Sequence, residues 1–549
     1  MNQNQLSKAN ELRESCFMGF ESFVQKCPTQ VEPHLDKIIQ AALAYMSYDP
    51  NYSYGIEDEE KAADGDDNGM EEDDGSDYGY DDDDDDDGDG GYEDDGDDDF
   101  YDDDDDDESW KVRRSAIRSL LAVVETKKHN PGFLWSKSYL VRRKKTVDCV
   151  ASALVDRFKE REENCRVGIL ETFTKLLQVT TTEITSKHNT SNLKFSGNSD
   201  VDNDDTKMDE TSDVGITIVD LQGKYAPAIV KGCEKLMGIK KGNERSKSYA
   251  LSLLSTLCMA PGGVGGKDEI LSVFTHVQTF LGDGNDDDKD EDANNGGNHH
   301  KVDTTSKALR LDALSLIVAM LESNNHNPNH IREGLSSALL PQLCNATKEH
   351  WYKVIAEALR ALAAVPKFFS GTTDTGTKKE TTDIAIRLYD SIEPLLAARD
   401  VDQEIKECAL LATSSLLSEL HTNLQKEHIS RLSTLLLERL TNETTRIPAI
   451  KTFSSICSSK NGRDIDFATG TGINNKGILG DSITTMSGFL KMQSRSLRQT
   501  SLEALDVVIT NHGSTIKPKK VATELYSSLL EELADLVIDT DLHISHLSL

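Results

Sequence analysis

Apolar residues recur along this chain with a helical period, and they come in paired segments. Ala116, Ile117, Leu120, Leu121 and Val124 fall at i, i+1, i+4, i+5 and i+8, a single helical face. Val354, Ile355, Ala358, Leu359 and Leu362 repeat that spacing, and no strand-type alternation lasts beyond a few residues. A signature marks the second segment of each pair: a basic residue three positions before a small one, then the apolar stripe. Arg113 precedes Ala116, Lys247 Ala250, Arg310 Ala313, Lys406 Ala409, Arg446 Ala449 and Arg498 Ser501; Ile355 precedes Ala358 without the charge. From Ala250 onward the small residues step by 63, 45, 51, 40 and 52 residues. Those steps lie in or near the period of about 40–47 residues that HEAT and armadillo repeats use, with an inserted loop behind the longest. Partner helices are predicted before these segments, over 33–46, 225–237, 331–343, 384–397, 428–440 and 521–538. Such pairs cannot bury both apolar faces alone, so they stack with their neighbours. The expected fold is all-α, a HEAT/armadillo-like α-solenoid superhelix with a long disordered acidic insertion.

The insertion is residues 56–108, which hold 33 Asp and Glu against one Lys and so carry −32 of a formal net charge of −36. With four Tyr, one Phe, one Ile and one Met among many Gly, it cannot bury enough apolar surface to offset its ordering entropy. Two further low-complexity stretches interrupt the array. The expected organisation is HEAT-type helices over 1–55, the acidic insertion over 56–108, helices over 109–185, a polar acidic loop over 186–213, helices over 214–281, an acidic loop over 282–305, and HEAT repeats over 306–549. The last repeat reads as truncated, because Asp541-Leu-His-Ile-Ser-His-Leu-Ser-Leu549 looks like a second helix just starting.

Candidate chemistry changes this picture little. Asp283, Asn285 and Asp287, and Asp200, Asp202 and Asp204, have the opening spacing of an EF-hand loop. Both sets lack Gly at the sixth position and the helix–loop–helix frame with Glu at the twelfth, so they read as solvated polar loops. His299-His300 sits in an Asn/Gly loop and reads as exposed. Gly262, Gly263, Gly265 and Gly266 lack the Lys-Ser/Thr of a phosphate loop and read as a turn. Nine Cys are scattered without a C-x-x-C pair, against a disulfide framework or a structural zinc site and for a reducing compartment. No apolar stretch approaches 18 residues, and no signal sequence opens the chain. The expectation is a soluble intracellular protein, cytoplasmic and/or nuclear, that is not an enzyme. No catalytic, cofactor-binding or metal-binding residue is assigned, no cofactor is expected, and the partner-binding residues stay unassigned.

Charge supplies one further contrast. Residues 111–145 hold eleven Lys and Arg (111, 113, 114, 118, 127, 128, 137, 142, 143, 144 and 145) against Glu125, directly after the acidic tract. At a Debye length of about 8 Å the tract is held only where it lies close to those cations. It either folds back on them until a partner displaces it, clamps a basic partner, or serves as a solubilising spacer. Arg142-Arg-Lys-Lys145 could pass for a nuclear-import signal, but on a predicted helix it reads as a solvated face. The net negative field disfavours nucleic acid.

Several stretches carry a specific likeness. Glu11-Leu-Arg-Glu-Ser-Cys-Phe-Met-Gly-Phe-Glu-Ser-Phe-Val24, Tyr48-Asp-Pro-Asn-Tyr52, the acidic tract, Ser109-Trp-Lys-Val-Arg-Arg114 and Arg157-Phe-Lys-Glu-Arg-Glu-Glu-Asn164 occur in order. Leu311-Asp-Ala-Leu-Ser315, Asp402-Gln-Glu-Ile-Lys-Glu407, Leu437-Glu-Arg-Leu440 and Asp541-Leu-His-Ile-Ser545 follow. Together they resemble the cullin-associated, neddylation-dissociated protein family, of the TATA-binding-protein-interacting type. The resemblance implies a scaffold that binds the cullin and its RING subunit when the cullin lacks its ubiquitin-like modifier, and that regulates SCF / cullin–RING ubiquitin ligase assembly as an exchange factor. It implies no small-molecule substrate, nucleic acid or membrane as partner, and it places this chain as an internal or truncated portion of a longer protein. The loops at 186–213 and 282–305 are longer than that family's pattern. Two other classes compete: an importin-β-type nuclear transport receptor, whose acidic inter-helix loop is usually short, and an acidic histone-type chaperone.

Overall fold

A computed structural model describes residues 3–49, 108–141, 146–194, 221–239, 243–281, 304–323, 326–370, 375–465, 467, 477–516, 519–538 and 541–548. The acidic insertion, both EF-hand-like triplets, His299-His300 and Arg142–Lys145 lie outside them. The chain divides into two compact units, Met1–Thr126 with Ser138–Asp148, and Lys127–Lys137 with Cys149–Leu549.

In the first unit, helix Gln3–Lys26 lies beside helix Ser109–Thr126. Their partners advance together: Ser7 with Glu108, Phe17 with Ser119, Glu21 with Arg118, Val24 with Thr126. The two therefore run parallel, as the second helices of consecutive pairs must. Leu35–Tyr45 packs on Ser109–Thr126 through a stripe of Leu35, Ile38, Ile39, Ala42 and Leu43, each buried. Strands Tyr139–Val141 and Thr146–Asp148 pair antiparallel in the register Val141↔Thr146, in place of the helix expected there. The residues Tyr-Leu-Val and Thr-Val-Asp favour extended backbone, being aromatic and β-branched. The hairpin is tied down by Gln40 Nε2, which donates to the Leu140 carbonyl at 2.6 Å, and by the Tyr139 hydroxyl, which donates to Asp36 at 3.2 Å. The flanks of the basic cluster are thus strands rather than a helix.

The second unit is a row of helix pairs. Its second helices are Glu163–Lys194, Glu244–Met259, Thr304–Glu322, Tyr352–Ala364, Gln403–Leu420, Arg446–Ser458 and Arg495–His512. Each packs against the next, and from Glu244–Met259 onward each is backed by a first helix that precedes it. Those first helices include Ala226–Met237, Lys267–Leu281, Thr375–Ala397, Lys426–Thr441 and Gly477–Phe489. Ala250, Ala313, Ala358, Ala409, Ala449 and Ser501 are fully buried in the second helices, as is Ala116 in the first unit. A larger side chain at these positions would overpack the core, which costs about 1–3 kcal/mol. Helix Glu163–Lys194 runs well into the stretch expected as a loop from 186. One first helix is broken: a π-turn, Leu335–Leu339, joins Pro328–Gly334 to Leu340–Ala346. Pro341 has no N–H to bond back into the preceding turn, which loosens the helix there. Gly334 allows that helix close approach, since a Cβ would lie 2.3 Å from Phe274 Cδ2. Trp135 anchors the start of the unit, its indole N–H donating to Thr180 Oγ1 at 2.8 Å.

Candidate partner-binding surface

The second helices share a face, and on it polar side chains join each repeat to the next. Ser248 donates to Asp312. Ser315 Oγ donates to Glu357 Oε1 at 3.1 Å, and Arg360 donates both to Glu357 and to Glu404 of the following helix. Arg310 pairs with Glu349 at 3.1 Å, Gln403 Nε2 donates to the Thr444 carbonyl at 2.8 Å, and Arg495 pairs with Asp541. Partial burial raises the Asp312 carboxyl above its ordinary range, against the Ser248 bond that favours its charge. Burial works against the Arg360 charge, but the bonds to Glu357 and Glu404 outweigh it and raise its pKa. Between these bonds stand Glu407, Leu411, Lys451, Glu503 and Asp506, all exposed. The result is a row of mixed-charge side chains that runs from one repeat to the next.

A set of buried arginines holds the pairs in place, a role that composition does not reveal. Arg439 donates through Nε to the Leu396 carbonyl and through Nη2 to that of Ala398, each at 2.8 Å, closing the end of the preceding first helix. Arg332, half-buried, donates through Nε and Nη2 to the Phe368 carbonyl at 2.9 and 2.7 Å, in the turn that follows the second helix of its own pair. Arg166 reaches Ser246 Oγ at 2.9 Å and the Glu160 carbonyl at 2.6 Å. Arg113, counted among the cations facing the acidic tract, is buried instead and donates to the Tyr48 carbonyl at 3.0 Å and to Ser109 Oγ at 2.8 Å. Its neighbours Lys111 and Arg118 pair with Glu108 and Glu21. Arg446, another basic residue of the signature, lies 4.8 Å from the centroid of the Phe489 ring.

The glycine run and the cysteines have structural places among the described residues. Gly262 and Gly263 have positive φ, 95° and 48°, and Gly263 donates to the Ala260 carbonyl at 2.9 Å, so the glycine run makes a turn. Among the described residues no group of three or more His, Cys, Asp or Glu could hold a metal ion. Burial pushes the Cys258 and Cys457 thiols up to about 12 and that of Cys408 to about 11. Cys233 is raised by burial too. A thiol held neutral in this way is a core residue rather than a nucleophile.

Stacked helix pairs joined by cross-repeat bonds define the class: an all-α helical-repeat protein, a HEAT/armadillo-like α-solenoid. Residues 267–413 match the family described as CAND1-like, TPR repeats. The chain is 30% identical over 545 residues to Cullin-associated NEDD8-dissociated protein 1 of Arabidopsis thaliana, and 26% identical over 542 residues to that of Drosophila melanogaster. Each alignment covers 98% of this chain and 36% of the relative, so the chain spans about a third of the length of these relatives. A protein of Emericella nidulans described as Cullin-associated NEDD8-dissociated protein 1, C-terminal part, is 25% identical, over 98% of this chain and 50% of its own. The resemblance read from the sequence thus extends over nearly the whole chain. Among solved structures, importin beta aligns with a TM-score of 0.43 at 11% identity, over 80% of this chain and 42% of its own. Within 267–413 the cross-repeat partners lie 39, 42 and 44 residues apart, longer than the 34-residue period of a tetratricopeptide pair and close to that of HEAT repeats.

Proposed function

We propose that this chain is a non-enzymatic scaffold that binds an unneddylated cullin and its RING subunit and regulates assembly of SCF and other cullin–RING ubiquitin ligases. One observation carries the reading: the alignment of 98% of this chain with proteins named for cullin association and NEDD8 dissociation. The mixed-charge face of the second helices supports it, because a solenoid binds by many modest contacts rather than through one pocket. Discrimination against a modified cullin would then be steric, the modifier occupying room that the repeats need. The proposal places the protein inside the cell, with neither nucleic acid nor membrane as a partner; among the described residues no helix is long and apolar enough to cross a membrane.

The test is binding of the chain to a purified cullin–RING core with and without its ubiquitin-like modifier. Selective retention of the unmodified core is expected. Equal binding to both forms, or binding that disappears when residues 56–108 are deleted, would sink the reading; the second result would favour an acidic chaperone.

A further inference from the structure

The signature arginines do not all find the same kind of acceptor. Arg310 reaches into the turn ahead of the next second helix and donates there to Glu349 at 3.1 Å. Arg446 makes the equivalent reach, into the turn between Gly477–Phe489 and Arg495–His512, but it meets Met492: Nη1 lies 3.5 Å from the thioether Sδ. A thioether is a weak acceptor. The Arg446 Nε is buried without a partner, and the guanidinium carbon lies over the Phe489 ring. Among the described residues this cation is thus held by a ring and a sulfur, with no side-chain oxygen to receive it.

The turn itself is fixed on both sides. The Met492 N–H donates to the Phe489 carbonyl at 3.1 Å, and the neighbouring Lys491 pairs with Glu532 of the following repeat at 2.5 Å. The Met492 side chain is nonetheless 40% exposed, which lets a small oxidant reach its sulfur. Met18 and Met259 are more exposed, at 50% and 54%, but among the described residues no arginine is bonded to either sulfur.

We propose that Met492 is a reversible oxidation site whose sulfoxide is received by Arg446. With hydrogen peroxide as the oxidant, the O–O bond breaks and an S–O bond forms at Sδ. The sulfur gives up two electrons, and the other peroxide oxygen leaves as water with both protons. Rotation about the Cγ–Sδ bond turns the new oxygen toward Nη1. The contact then becomes a charge-assisted hydrogen bond of the kind Arg310 makes with Glu349. Oxidation of methionine ordinarily loosens packing by making an apolar side chain polar, and sulfoxide reductases reverse it. Here it tightens the junction between two repeats.

Brief treatment of the full chain with hydrogen peroxide, followed by hydrogen–deuterium exchange read by mass spectrometry, tests this. Sulfoxide is expected at Met18, Met259 and Met492. Amide exchange across residues 489–498 should slow by roughly three- to tenfold, because a part-exposed bond from a charged donor is gained. Methionine sulfoxide reductase should restore the original rate. Met492→Leu should abolish the change, and so should Arg446→Leu, which keeps an apolar contact with Phe489. Neither side chain is fully buried, so each variant should stay folded by circular dichroism. Met492→Gln places an amide oxygen near the sulfoxide position; it should slow exchange without any oxidant, and only while Arg446 is present. A Met492 that stays reduced while Met259 is oxidised would overturn the proposal. So would exchange across 489–498 that oxidation leaves unchanged or speeds up, or slowing that persists in Arg446→Leu.

Discussion

The guanidinium of Arg360 bridges Glu357 on its own helix and Glu404 on the next, so one side chain ties two consecutive repeats together. The group is half-exposed, and water screens it. Arg360→Met is therefore expected to cost only about 0.5–1 kcal/mol, seen as a small drop in the denaturation midpoint. A double-mutant cycle with Glu404→Gln should show coupling that fades in high salt. An unchanged coupling energy at high salt would mean that packing, not charge, joins the two residues.

Arg113 should behave differently, because it is buried against the Tyr48 carbonyl and Ser109. Arg113→Ala leaves those acceptors behind in a closed space. Bonds from a charged donor are worth about 1.5–3 kcal/mol each, so a loss of about 2–3 kcal/mol is expected in urea denaturation. Arg113→Lys should recover only part of it, since a lysine cannot reproduce the planar fork. A variant as stable as wild type would show that the buried arginine is dispensable.

Three buried histidines set a pH dependence. His326, His421 and His512 lie at or just beyond the C-terminal ends of second helices, and burial lowers the pKa of each below 6.5. Above that value the folded and unfolded chains both hold them neutral, and the full stability is present. As pH falls through 6.5 toward the folded values, the unfolded chain takes up protons that the folded chain resists. Stability is then lost, and a histidine whose proton affinity drops tenfold on folding accounts for about 1.4 kcal/mol of that loss. Thermal melts between pH 7.5 and 5 should show the decline. His512→Phe, which keeps a ring beside Phe467, should flatten it.

Thiol reactivity should follow burial. Cys16 is exposed, whereas Cys149, Cys165, Cys233, Cys258, Cys408 and Cys457 are buried. Brief alkylation of the native protein, read by mass spectrometry, is expected to label Cys16 first and to leave those six unmodified until denaturant is added. Early labelling of Cys258 or Cys457 would indicate local opening of their repeats.

Much of the helical framework is legible in the sequence. The expected partner helices 225–237, 428–440 and 521–538 end within two residues of Ala226–Met237, Lys426–Thr441 and Lys519–Val537. The one expected at 384–397 begins earlier, at Thr375, because its first turns are polar and carry no stripe. For the same reason Glu163–Lys194 outruns its expected end: a helix that is polar on all sides gives no periodic signal. The short hairpin at 139–148 escapes a reading of the sequence because two three-residue strands are too brief to show alternation.

By itself the sequence determined the period of the repeat, which face of each helix is apolar, and where small residues must sit. Those are properties of neighbouring residues, and burial of the stripe enforces them wherever the chain goes. Only the tertiary structure decided what the charges do. Arg310 finds Glu349, Arg360 finds Glu404 and Arg439 finds the Leu396 carbonyl across 39 to 44 residues, one repeat away, and no local pattern names such a partner. The same distance explains why Arg113 looked like a surface cation: its partner, the Tyr48 carbonyl, lies 65 residues earlier in the chain.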